Sequence, residues 1–236
     1  MRLRRLIAIL LGLTSVVAAG FALAFPLPAA CVLVGVANLQ VASDGSTDFG
    51  GAKHDDVALK RLTQAARSRI GAVFGDPKAT PILIYADDDS RFGWSRANRV
   101  GSTQFVGSRA CVVIGPEGRS VDVVAHELMH AELHHRVGWR RRLTQIPTWF
   151  DEGIAMQVDW RRRYLLPRED LPRSRDVMDR KTARAFFVAD DQALTRNYAE
   201  ARQVVTDWLN NAGAETLYSR LEQVREGRSF DEMLSR

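Results

Sequence analysis

The spacing of two histidines constrains this chain more than any other feature. The run His126-Glu127-Leu128-Met129-His130 places them four residues apart. In an α-helix, residues four apart lie one turn apart on the same face, so both imidazoles can reach one ion. Glu127 lies between them in sequence and points to the adjoining flank of the helix. The run is therefore predicted to be helical, with Ser120 as the N-terminal cap.

The residue types in this run indicate metal chemistry. Histidine nitrogens are common zinc ligands, and a glutamate beside a zinc site can accept a proton from a water without itself binding the metal. The apolar residues of the same helix cluster on the side away from the histidines, which predicts a buried helix facing a cleft. His126 and His130 are thus candidate metal ligands, and Glu127 is the candidate general base.

A catalytic zinc ion needs a third protein ligand and an open position. His134 continues the four-residue spacing, but it lies about 12 Å along the helix from His126 and cannot share the same ion. The metzincin pattern is excluded, because it requires a glycine and a histidine where this chain has Leu133 and Arg136. The third ligand must come from elsewhere in the chain.

The run Trp149-Phe150-Asp151-Glu152-Gly153-Ile154-Ala155 resembles the second motif of the gluzincin metallopeptidases, the thermolysin-like group with a peptidase-MA-like domain. Many members carry an aromatic pair, a variable residue, and then Glu-Gly. The resemblance implies that Glu152 is the third ligand, that the cofactor is Zn²⁺, and that the chain is a metallopeptidase. The 21 residues between His130 and Glu152 suit a helix, a loop and a returning helix.

The resemblance also implies residues that orient the metal-binding histidines and stabilise the oxyanion. Met156 stands where thermolysin has an acidic residue that orients a histidine, so that role falls to another carboxylate. Asp151 and Asp159 are candidates, with surface placement as the alternative for each. Gluzincins commonly use a tyrosine or histidine from their C-terminal helical half to stabilise the oxyanion, which implies Tyr198. Tyr164 and Tyr218 compete for that role.

The predicted fold class is α+β, with a small, mostly antiparallel sheet packed on the histidine helix and a helical C-terminal half. Apolar runs predict strands at 82–85, 103–106 and 110–114, after a helix over 55–74. The strand at 110–114 resembles the substrate-binding edge strand of gluzincins. In the C-terminal half, we expect a helix that opens at Asn197 and a last helix with a capping box that begins at Ser229.

The N-terminus predicts a membrane segment. Residues 6–24 contain no charge and follow three arginines, which favours a single-pass signal anchor with the remainder outside the cytoplasm; a cleaved signal peptide is the alternative. We expect residues 1–36 to form the anchor and membrane-proximal segment, 37–54 a linker, and 55–236 the metallopeptidase-like domain. The predicted location is the cell inner membrane, with the catalytic domain on the periplasmic side.

Two cysteines and two basic runs leave alternatives open. Cys31 and Cys111 form either one disulfide, if the domain is exported, or two buried thiols. The runs at 140–142 and 161–163 favour solvated surface over contact with anionic lipid, and residues 161–193 suit a lid over the cleft. The net charge of +5 comes largely from the N-terminal arginines, so no nucleic-acid partner is expected.

The expected partner is a peptide or protein substrate, together with the membrane through residues 6–24. The oligomeric state stays open. The competing function is a catalytically inactive, zinc-stabilised binding or assembly protein of the same fold. Retention of Glu127 beside the histidines favours the enzyme.

Overall fold

A computed structural model describes residues 56–86, 99–171 and 176–235, together with Gly12, Gly20, Cys31, Val32, Thr47 and Asp48. The predicted membrane segment at 6–24 lies outside the described residues, apart from the two glycines. Within the described ranges, no helix has the length and apolar character to cross a bilayer. The predicted anchor and linker therefore stay predictions.

The sheet has four strands: β1 (Thr47–Asp48), β2 (Ile82–Tyr85), β3 (Gly101–Val106) and β4 (Arg109–Ile114). Their order is β1-β2-β4-β3. β1 and β4 both run parallel to β2, and only β3 and β4 pair antiparallel. The prediction of a mostly antiparallel sheet is therefore wrong, because the sheet is mixed and only the hairpin is antiparallel.

β4 is a central strand and not an edge strand, so the prediction that 110–114 forms the substrate-binding edge is also wrong. Its residues from Ala110 to Ile114 are all buried. A continuous apolar run is typical of a strand covered on both faces, which is why β4 lies between β2 and β3. β3, half-buried along its whole length, is the outer strand of the described sheet on this side.

The helical part follows the sheet. The described residues between 155 and 183 contain three short 3-10 turns, at Arg162–Tyr164, Arg168–Asp170 and Asp176–Asp179. The last long helix starts at Asp191, where Asp190 accepts a hydrogen bond from Ala193, and not at Asn197 as predicted. The α-helices are α1 (Asp56–Phe74), α2 (Val121–Val137), α3 (Trp139–Gln145), α4 (Thr148–Ala155), α5 (Ala183–Phe186), α6 (Asp191–Ala212), α7 (Leu217–Glu226) and α8 (Phe230–Leu234).

The predicted helix caps are confirmed. The Ser120 side chain accepts a hydrogen bond from the backbone of Val123 at the start of α2. Ser229 and Glu232 form the capping box of α8. Each cap satisfies backbone N–H groups that have no partner within the helix, and this fixes where the helix begins.

Helix α2 lies at the centre of the domain, between the sheet, α1, α4 and α7. Every residue of α2 from Val123 to His134 is buried. Glu132, a charged residue on its apolar side, accepts hydrogen bonds from Ala79 N and from Arg136 Nε, each at 2.6 Å. This fully buried ion pair joins α2 to the connection between α1 and β2, and it fixes the helix that carries the histidines.

The second face of the sheet forms a separate apolar cluster. Ile82, Ile84, Cys111 and Val113 are buried there together with Cys31. Cys31 and Cys111 form a disulfide, which decides between the two alternatives left by the sequence. The chain near residue 31 is therefore covalently attached to the middle of the sheet.

Candidate metal centre

Three ligand atoms from two helices converge in the middle of the domain. Nε2 of His126 and Nε2 of His130 lie 3.1 Å apart. Oε2 of Glu152, on α4, lies 3.3 Å from the first nitrogen and 3.6 Å from the second. All three side chains are buried. The structure thus brings together the three residues that the sequence predicts as metal ligands.

The three separations fit a tetrahedral zinc ion. Zinc–nitrogen and zinc–oxygen distances of about 2.0–2.1 Å, with tetrahedral angles, place ligand atoms about 3.3–3.4 Å apart. Oε2 of Glu152 is buried and has no hydrogen-bond partner. A buried carboxylate oxygen without a partner is costly, and a cation between it and the two imidazoles removes that cost. Among the described residues, no further group of three potential ligands converges in this way.

Two buried aspartates face the other ring nitrogens of the histidines. Asp151 Oδ1 lies 2.8 Å from His130 Nδ1, within hydrogen-bonding distance. Asp159 Oδ2 lies 3.3 Å from His126 Nδ1, at ion-pair distance but outside hydrogen-bond geometry. A carboxylate at Nδ1 keeps a proton there and leaves the lone pair of Nε2 for a metal. Surface placement, the alternative for both aspartates, is wrong.

Each aspartate is held in turn by an arginine. Arg142, on α3, forms an ion pair with Asp151, and its guanidinium lies 3.6 Å from the centre of the Phe105 ring. Arg161 binds both oxygens of Asp159, with its Nε 3.0 Å from each. The centre therefore contains two chains of contacts, each running from arginine to aspartate to histidine.

These arginines belong to the two basic runs that the sequence assigns to solvated surface. That assignment is wrong for one residue in each run. The Arg142 side chain is only 14% exposed because it pairs with the buried Asp151, whereas Arg140 on the same helix is exposed. Hydropathy cannot identify the inward member of an arginine triplet, since all three side chains are chemically identical.

The electrostatics of the site favour a bound cation. Burial would lower the pKa of His126, but the carboxylates of Asp159 and Glu152 outweigh it and raise that pKa to about 9. The pKa of His130 is likewise raised, against the effect of burial, by Asp151 and Glu152. Burial would raise the pKa of Glu152, but the two histidines hold it well below its usual range. Each shift has the direction expected where imidazoles and carboxylates lie close enough for a positive charge to be stabilised between them.

Glu127, the predicted general base, lies on the flank of α2 that faces β3. Its Oε2 accepts a hydrogen bond of 2.8 Å from the hydroxyl of Thr103. A Cβ added at Gly101 would lie 3.1 Å from Oε1 of the same carboxylate. β3 thus approaches the glutamate closely at Gly101 and orients it through Thr103. The sequence alone does not identify Thr103 as part of the site, because a threonine in a strand usually indicates only β-propensity.

Gly153 explains how α4 presents Glu152 at the correct depth. A Cβ at this position would lie 2.6 Å from the carbonyl oxygen of Ala201 and 2.6 Å from Cγ2 of Val205. Both neighbours belong to α6, so the two helices approach each other here more closely than any side chain allows. The Glu-Gly pair in the sequence thus combines a candidate ligand with the helix contact that positions it.

Tyr198, the predicted oxyanion stabiliser, lies beside the histidines. Its ring centre is 6.2 Å from that of His126. Burial, and next the negative charge of Glu152, raise the pKa of Tyr198 well above its usual value, so the hydroxyl stays protonated. Tyr164 packs against Tyr198 with ring centres 5.1 Å apart. Tyr218 instead packs beneath Arg136 on another side of α2, outside this group.

Comparison of the chain with models of protein families, with curated proteins and with solved structures finds no match. The resemblance to gluzincins therefore rests on the two short motifs and on the convergence of their side chains.

Proposed function

We propose that this chain is a zinc-dependent metallopeptidase of the gluzincin type, anchored in the membrane, with its domain outside the cytoplasm. The observation that carries the proposal is the convergence of Nε2 of His126, Nε2 of His130 and Oε2 of Glu152, with Glu127 beside them on the same helix. Two imidazoles and one carboxylate leave one position of a tetrahedral ion open, which is typical of catalytic zinc sites.

Each side chain of the site has a distinct role in the proposed peptide hydrolysis. A bound zinc ion supplies a water of lowered pKa and polarises the carbonyl group of the substrate. Glu127 accepts the proton of the attacking water and passes it to the leaving amine. Its hydrogen bond from Thr103 holds the carboxylate against β3. The hydroxyl of Tyr198 donates to the developing oxyanion.

We propose that the substrate binds along β3 and not along β4, the strand that the sequence suggested. β3 is the outer strand of the described sheet next to Glu127, whereas β4 is enclosed by its neighbours. An extended peptide that pairs with an outer strand gains backbone hydrogen bonds with little demand on its sequence. Its scissile bond would then lie near Glu127 and the metal.

The disulfide supports the proposed location of the domain outside the cytoplasm. Disulfides persist in oxidising compartments and are rare in the cytosol. Cys31 lies seven residues after the apolar stretch that ends at Ala24. The first described contact of the chain after the predicted anchor is thus one that requires an oxidising environment.

The competing function is a zinc-stabilised binding or assembly protein without turnover. It shares the three metal ligands but gives no role to the Glu127 carboxylate. Thr103 holds that carboxylate in a buried position at the metal centre, and this favours the enzyme. The two functions predict different results when Glu127 alone is changed.

The test compares Glu127→Gln with the native chain, both reconstituted in vesicles and assayed on unstructured peptides. We expect equal zinc content and a loss of hydrolysis of about 10²- to 10⁴-fold, because the base is removed and the ligands remain. Glu117→Gln, at an exposed glutamate that pairs with Arg99, is the control and should retain full activity. Stoichiometric zinc without hydrolysis by the native chain would support the binding protein. Equal activity in Glu127→Gln would refute the mechanism.

A further inference from the structure

Arg202, on α6, reaches the turn that follows α4 and donates to two of its backbone carbonyl groups. Its Nη1 lies 2.8 Å from the carbonyl oxygen of Asp159, and it also donates to the carbonyl oxygen of Met156. Both Met156 and Asp159 are fully buried. They lie after the last residue of α4, where the helix no longer supplies donors, and a buried carbonyl group without a donor is costly. Arg202 therefore satisfies this turn from a different helix.

Gln157, in the same turn, makes a second connection to α6. Its Nε2 donates to the carbonyl oxygen of Gly153 at 2.9 Å and to that of Arg202 at 3.1 Å. Its Oε1 accepts a hydrogen bond of 3.0 Å from the hydroxyl of Thr206. The turn is thus joined to α6 twice, through its backbone by the Arg202 side chain and through the side chain of Gln157.

This turn carries Asp159, whose carboxylate faces Nδ1 of His126. The side chain of Asp159 is held by Arg161, and its backbone is held by Arg202. Oδ2 of Asp159 lies 3.3 Å from Nδ1 of His126, just outside hydrogen-bond geometry. Hydrogen bonds between nitrogen and oxygen are mostly about 2.7–3.2 Å long, so a small movement of this backbone decides how firmly the carboxylate holds the imidazole.

The position of Arg202 on α6 also relates this turn to Tyr198. Tyr198 and Arg202 are four residues apart on one helix, so they lie on the same face. The ring centre of Tyr198 is 6.2 Å from that of His126. One face of α6 therefore carries both the proposed oxyanion stabiliser and the side chain that holds the backbone of Asp159.

We propose that Arg202 is a positioning residue of the metal centre, which acts on His126 through Asp159. The proposal rests on the proposed zinc site. With Arg202 in place, the turn presents the Asp159 carboxylate to Nδ1 of His126 and leaves the lone pair of Nε2 for the metal. Without Arg202, two buried carbonyl groups lose their donor, and the turn must move to expose them to water. His126 then loses the carboxylate that orients it.

The test is a double-mutant cycle on the full chain, with zinc affinity measured by competition with a fluorescent chelator. Arg202→Met removes the donors and keeps a long side chain, whereas Asp159→Asn removes the carboxylate through which Arg202 acts. We expect Arg202→Met alone to weaken zinc binding about 10-fold, the low end for loss of a carboxylate that orients a histidine. In the Asp159→Asn background, the same change should cause no further loss. A residue that only stabilises the fold would weaken binding equally in both backgrounds.

Arg196→Met is the matched control, because Arg196 is an exposed arginine on the same helix, and it should leave zinc affinity unchanged. If circular dichroism shows that Arg202→Met does not fold, Arg202→Gln replaces it in the cycle, because its amide keeps N–H donors near the turn. Its loss should be smaller and again absent in the Asp159→Asn background.

Unchanged zinc affinity in the Arg202 variant that folds, or an equal loss in both backgrounds, would overturn the proposal. Failure of the native chain to bind zinc would refute the metal centre itself, and the positioning role with it. Peptide hydrolysis is not measured, so a chain that binds zinc without turnover gives the same test of Arg202.

Discussion

The two aspartates behind the histidines allow a test in which the structure sets the size of the effect. Loss of a carboxylate that orients a metal-binding histidine typically lowers metal affinity 10- to 100-fold, or about 1.4–2.7 kcal/mol. Asp151 hydrogen-bonds His130 at 2.8 Å, whereas Asp159 lies 3.3 Å from His126 without hydrogen-bond geometry. We therefore expect Asp151→Asn to lose close to 100-fold in zinc affinity and Asp159→Asn close to 10-fold.

The assay is a competition titration of zinc against a fluorescent chelator. Asp207→Asn is the control, because this aspartate is 41% exposed on α6 and pairs with Arg168. Circular dichroism must show native helix content, since Asp151→Asn also leaves Arg142 without its negative partner. If both aspartate variants bind zinc as tightly as the Asp207→Asn control, the carboxylates do not orient the ligands and this reasoning is refuted.

Four other predictions address the rest of the domain. Tyr198→Phe should lower kcat for peptide hydrolysis by about 10²-fold with little change in KM, and an equal kcat would remove Tyr198 from the mechanism. Gly153→Ala should destabilise the fold by about 1–3 kcal/mol in urea titrations, because its methyl group meets α6; wild-type stability would contradict the close contact. Zinc affinity should rise from pH 6 to about 9 in chelator titrations, because protons on His126, whose pKa is raised to about 9, compete with the metal below that pH; a flat profile would argue against this competition. Replacement of Cys31 and Cys111 by serine should cost about 4–5 kcal/mol of unfolding free energy, as expected for a link over 80 residues, and an unchanged denaturation midpoint would show that the link adds no stability.

The parts of the site that follow from local chemistry could be predicted from the sequence. Four-residue spacing on a helix determines that His126 and His130 share a face, whatever surrounds that helix. The cap at Ser120 is likewise a property of a few adjacent residues. Glu152 was implied only by the resemblance of its motif, because no local rule states which distant carboxylate returns to a helix.

The parts that depend on packing could not be predicted. The edge strand was misassigned, because strand order depends on which strands the chain brings together and not on the composition of any one strand. Arg142 and Arg161 were assigned to the surface for the same reason, since burial of an arginine depends on a distant aspartate that pairs with it.

The helix that carries two histidines and a glutamate on neighbouring flanks follows from adjacent residues alone, since this arrangement needs only helical geometry. Three other features depend on how the chain packs: which carboxylates face those histidines, which strand contacts Glu127, and the bond between Cys31 and Cys111. The physical reason is that hydrogen bonds and ion pairs form between side chains that are close in space. Periodicity along a chain gives positions only within one helix or strand.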